Sequence, residues 1–162
     1  MYICKNVELI NLMIMTQNVL NGVYEFLSKI RINKISDRET KLGLIKIHLA
    51  FHKQVEGFKA DVQELQKKYF EGKEAELQTY NETVMKLQTE SDESKKKELE
   101  NSLDPDMKNL VNEFNSVVNS YLNKEVSVEF EKLDKDKFIN ALIDLDIEFT
   151  CEDLVVLEDL YK

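Results

Sequence analysis

The sequence contains no tryptophan, one proline and four glycines across 162 residues. A sandwich or barrel needs many turn formers, so this supply excludes turn-rich all-β folds and favours long helices. Cysteine is scarce too: Cys4 and Cys151 are the only two, and they stand at opposite ends of the chain. They make no disulfide framework and read as free thiols in a reducing compartment. No run of about 18 apolar residues is present that would span a bilayer. The apolar stretch from Ile10 to Met15 is broken by Asn11 and preceded by Glu8, and no small-residue cleavage site follows Leu20, so it reads as a helix face and not as a leader. A glycine-rich phosphate loop and a serine nucleophile elbow are also missing.

What the sequence has in quantity is charge. Apolar residues make up 43% and charged residues 33%, too apolar for a disordered chain and too interrupted for a membrane protein, so a soluble domain is expected. The net charge of −9 is uneven: Glu125 to Lys162 holds 12 acids against 4 bases, a balance of −8. Residues 1 to 124 are nearly neutral. With no basic face evident, the chain has no means of releasing counterions from a phosphate backbone or of gripping an anionic lipid surface, and direct nucleic-acid or membrane binding is not expected. A basic protein surface stays open as a partner.

Met1 to Cys4 is short and β-prone, and Asn6 is placed to cap a helix beginning at Val7. Ile10, Met13, Ile14, Leu20, Val23, Tyr24, Leu27 and Ile30 then recur at helical spacing. Asn33 to Asp37 reads as a connector, and Ser36 with Glu39 has the spacing of a capping box. The second helix carries the clearest period: Leu44, His48, Phe51, Val55, Phe58, Val62, Leu65 and Tyr69 follow alternating steps of four and three, a heptad seam. A kink or break is expected near Gly72, after which Leu77, Tyr80, Val84 and Leu87 resume the spacing. Thr89 to Ser102 has a single apolar residue, Leu99, and reads as a loop or a solvated helix extension. Asp104-Pro105 supplies a cap and a first-turn proline for a helix carrying Met107, Val111, Phe114, Val118 and Tyr121.

Beyond Asn123 the period drops to two. Val126, Val128 and Phe130 alternate with Ser127 and Glu129, and Leu145, Ile147 and Phe149 alternate with Asp144, Asp146 and Glu148. The two segments are expected to pair, with a short helix from Asp136 to Leu142 between them. That pairing would set Asp144, Asp146 and Glu148 in a row on the open face. Thr150 and Asp153 have the spacing of a cap before a last helix holding Leu154, Val155, Leu157 and Leu160. The expected architecture is mainly α: a helical hairpin or small bundle over residues 1–124, with a solvated segment about 89–104. Residues 125–162 form a small acidic β-α element packed on it, with a two- or three-stranded sheet joining the amino terminus to this last quarter.

Each candidate for chemistry meets a simpler explanation. His48 and His52 lie four apart, a spacing that places two imidazoles on one metal, yet a zinc site needs a third ligand and Leu49 stands where a metalloprotease has its glutamate. His48 also sits on the seam, so a core or boundary histidine is the better reading. The acids from Asp134 onward suit a hard cation in number but not in register, since Ile139 falls at the turn glycine and Leu145 at the bidentate glutamate of a calcium loop. Cys151 opens a predicted helix, where the dipole favours thiolate, but Glu152 and Asp153 oppose it and no base is near in sequence. Lys95 to Lys97 is flanked by Glu93, Glu98 and Glu100 and reads as a mixed-charge surface. No residue set calls for a cofactor, a metal or a small-molecule substrate. The positions expected to meet a partner or a second copy are Leu77, Tyr80, Val84 and Leu87 on the second seam and the row Asp144, Asp146 and Glu148.

The order of these features is itself distinctive: Asn6-Val7-Glu8-Leu9, a first helix, a basic connector, a long charged helical arm, Phe114 to Leu122 running into Asn123-Lys124-Glu125-Val126-Ser127-Val128, and an acidic end from Cys151 to Leu160. In this the sequence resembles a family of small uncharacterised proteins encoded by tailed bacteriophages and prophages, over most of its length. The abundance of Lys, Asn, Glu and Ile without Trp suits an AT-rich phage genome. The resemblance carries over no catalytic residues. It implies a non-enzymatic protein acting through protein contacts, as a virion component or assembly accessory, in the host cytoplasm or the particle. The alternative is an inhibitor of a host defence or nucleic-acid enzyme that uses the acidic carboxy-terminal surface in place of phosphates.

Overall fold

A computed structural model describes residues 11–145 and 147–161. The expected β start at Met1 to Cys4, the Asn6 cap, Cys4 and Asp146 lie outside the described residues. The element order is β1 (Asn11–Thr16), α1 (Gln17–Lys29), α2 (Arg38–Tyr69), α3 (Glu74–Thr89), α4 (Glu93–Ser102), α5 (Pro105–Leu122), β2 (Glu125–Phe130), α6 (Lys135–Asp144) and α7 (Cys151–Val156). Short 3-10 turns follow α1 and α7. The protein is mainly α with a small antiparallel sheet. Two compact units divide the chain: one holds residues up to Phe58 together with those from Leu122, and the other runs from Lys59 to Tyr121.

In the first unit β1 and β2 pair antiparallel in the register Asn11↔Phe130 to Thr16↔Glu125. Two expectations are overturned here. The first helix does not run through Met13 and Ile14; that segment is a strand, and the helix starts only at Gln17. An unbroken apolar run has no period of its own, and pairing with β2 decides it, turning Met13 and Met15 inward while Ile14 stays 61% exposed. Thr16 then ends the strand and caps α1, its Oγ1 accepting from the Val19 amide. The second correction concerns β2, whose partner is β1 and not the segment from Leu145 to Phe149. Ile147 to Thr150 is irregular, and Asp144 ends α6.

The core of this unit is contributed by Leu20, Val23 and Leu27 of α1, Leu44, Ile47, Phe51 and Val55 of α2, Val128 and Phe130 of β2, and Phe138 and Leu142 of α6. The α2 seam is therefore a true core face over its first half, with Ile47 in place of His48. The helix is capped by Asp37, not Ser36: its carboxylate accepts from both the amide and the hydroxyl of Thr40 at 2.8 and 2.7 Å, which holds it below the usual carboxylate range. The chain end is tied down when the Leu133 amide donates to the Leu160 carbonyl at 2.8 Å. The Thr150–Asp153 capping box forms as its spacing predicts.

The second unit begins in the last turns of α2, which end at a turn through Gly72, whose φ of +74° suits only a residue without a side chain. Phe70 is buried against Phe114 of α5, edge to face at 5.4 Å. Residues 93–102, expected as a loop or solvated extension, form the separate helix α4; Asp92 accepts from the amides of Ser94 and Lys95 and starts it. Neither α3 nor α4 has a fully buried residue. Among the described residues of this unit only Phe70 and Met107 are buried hydrophobics.

Candidate functional site

The sequence-derived candidates fall in different places. Leu77, Tyr80, Val84 and Leu87 lie on α3 in the second unit, all half-buried. Tyr80 lines a cleft of about 220 Å³ with Thr83, Leu103 and Met107. Leu77 lines another of about 610 Å³, together with Phe70, Glu64, Lys67 and Lys68. The Glu64–Lys68 pair closes at 2.7 Å, holding the carboxyl below and the ammonium above their ordinary values. In the first unit Asp144 and Glu148 are exposed, Asp144 on a helix end and Glu148 on irregular backbone. They share no strand, so the expected carboxylate row does not form.

The histidine pair sits where α1 meets α2. His48 and His52 stack at 6.4 Å with planes 9° apart, and the Tyr24 ring lies over both. The Ser28 hydroxyl donates to the Tyr24 carbonyl at 2.8 Å and lies within hydrogen-bond distance of His48 Nε2, 3.3 Å away. Burial and the neighbouring His52 hold the His48 pKa below the ordinary 6.5. His52 Nδ1 bonds the Tyr24 hydroxyl at 2.9 Å. Among the described residues no three His, Cys, Asp or Glu side chains gather in a way that would hold a metal. This pair joins two helices, and the third ligand that a metal reading requires is not found among the described residues. Cys151 is exposed at the first residue of α7, while both imidazoles are engaged on α1.

Sequence reasoning missed the outer face of α2. Leu42, Ile45 and Leu49 are 52%, 39% and 60% exposed. Their steps of three and four run parallel to the core seam on the opposite side of the helix. The signal was legible as a second apolar stripe, but Lys46 and His48, interleaved with its members, hid it. Arg38, Lys41, Lys46 and Lys53 lie around the stripe with Glu39 as the acid among them, so an acidic chain does carry a mainly basic-rimmed face.

No family model, curated protein or solved structure matches this chain.

Proposed function

We propose that this chain is a phage-encoded protein that works through protein contacts, as a virion component or an assembly accessory. One observation carries the reading. Leu77, Tyr80, Val84 and Leu87 repeat with the spacing of a core seam, yet each stays half-buried, and Met85 beside them is 67% exposed. A helix that spaces its apolar residues for burial and leaves them partly in water gains free energy when a second surface covers them. The phage assignment is supported by the order of sequence features described above.

The test is solution mass by light scattering across concentration and salt, with capture from a bacterial host lysate, for the wild type and for Val84→Asp and Leu87→Asp. The expected result is an oligomer or a captured partner that both substitutions remove while helicity by circular dichroism persists. Assembly and capture insensitive to both would overturn the reading. The inhibitor alternative is favoured by the exposure of Asp144, Glu148, Glu152, Glu158 and Asp159. It requires a captured partner whose binding falls steeply with salt and is lost when these acids are neutralised.

A further inference from the structure

The first unit carries two apolar patches of opposite rim charge. On α2, Leu42, Ile45 and Leu49 form a stripe about 10 Å long at 1.5 Å per residue, flanked by the cations named above. On α7, Val155 and Val156 are 69% and 49% exposed. Glu152 lies one turn before them on the same face, and Glu158 and Asp159 follow directly, all three exposed. Two ion pairs touch these rims: in Lys46 with Glu131 at 3.6 Å both side chains are exposed, and in Asp159 with Lys132 at 4.0 Å the acid is exposed while the lysine is half-buried. Exposed ion pairs exchange partners at little cost.

We propose that the chain binds a second copy of itself head to tail, the α2 stripe of one copy receiving the α7 turn of the next. This goes beyond the protein-contact reading, since the contact uses neither Val84 nor Leu87. Charge decides the pairing. Two α2 stripes face to face would oppose lysines to lysines, and two α7 turns would oppose acids to acids, whereas α7 on α2 matches apolar to apolar and acid to base. A contact between unlike surfaces does not close at two copies; it continues into a ring or a filament. Patches this small belong to the weak interface class, below about 1,000 Å², so assembly requires high local concentration, as in a growing particle.

The test uses the full chain and two variants at exposed positions, Leu49→Asp and Val155→Asp, with circular dichroism to confirm the fold. Wild type is expected to gain mass past the dimer as concentration rises, and each variant alone to remain a monomer. The two variants mixed one to one each retain one working surface, and are expected to form a heterodimer and stop there. As a second check, Lys53→Glu weakens assembly several-fold and Glu158→Lys in the same chain restores part of it. A wild type that stays monomeric, a mixture that stays monomeric, or a variant that assembles as wild type does would overturn the proposal. Should assembly or partner capture depend on Val84 and not on Leu49, the head-to-tail contact fails while the protein-contact reading stands. If neither residue matters, both fail.

Discussion

At Gly43 on α2 an added methyl would overlap Cδ2 of Leu133, a side chain that is itself buried. Alanine ordinarily stabilises a helix interior, but here the clash reverses the sign, and Gly43→Ala should cost about 1–3 kcal/mol. Gly57, on the same helix, has nothing within 4 Å of the same methyl. Gly57→Ala should therefore stabilise by roughly 0.5–1 kcal/mol, and chemical denaturation of the two variants side by side checks both signs. The capping box of α7 gives a residue-scale pH dependence. Asp153 is held below its ordinary 3.8 chiefly by the Thr150 amide and hydroxyl. A depressed carboxylate contributes stability above the unfolded value and loses it as pH falls through the folded one. The stability gap between wild type and Asp153→Asn should accordingly narrow below about pH 4.

Among elements, the α1–α2 tie is the one that senses pH near neutrality. The groups facing His48 are Ser28 and Tyr24 from α1 and His52 from its own helix. Its folded pKa lies below 6.5, so the unfolded chain takes up the proton first and stability falls as pH drops from above 6.5 toward the folded value. His48→Gln should flatten that slope in denaturation midpoints measured across the range. Beneath this tie, Phe51 is fully buried and packs on Phe130 at 5.9 Å. Phe51→Ala should cost about 3–5 kcal/mol, read from the same denaturation curves. The helices that carry heptads or caps were legible in the sequence, because a 3.5-residue period and an Asp-Pro or Thr-x-x-Asp start are local facts. Residues 11–16 were not, because a strand with so short a run is set by the partner it meets 110 residues later.

For the molecule as a whole, burial predicts an uneven distribution of stability. The unit from Lys59 to Tyr121 has two buried hydrophobics among its described residues, while α1 alone buries Leu20, Val23 and Leu27. Segments with few buried contacts open first. Amide hydrogen exchange should therefore be faster throughout α3 and α4 than in α1 and the first half of α2, and uniform protection would refute this. The sparse packing is also what leaves the α3 seam half-buried.

Some properties follow from the sequence alone. Scarce glycine and proline, sustained apolar periods and strong capping residues make the protein mainly helical, and the order of residues places most of its net negative charge in the last quarter. These are short-range or additive quantities, and no tertiary contact alters them. Other properties were decided only when the chain closed on itself. The partner of β2, the end of α6 at Asp144 and the half-burial of the α3 seam each depend on which surfaces meet, as does the basic-rimmed stripe on α2. Both apolar faces of that helix have the same period, and only packing against α1, β2 and α6 determines which one is covered and which is left to water.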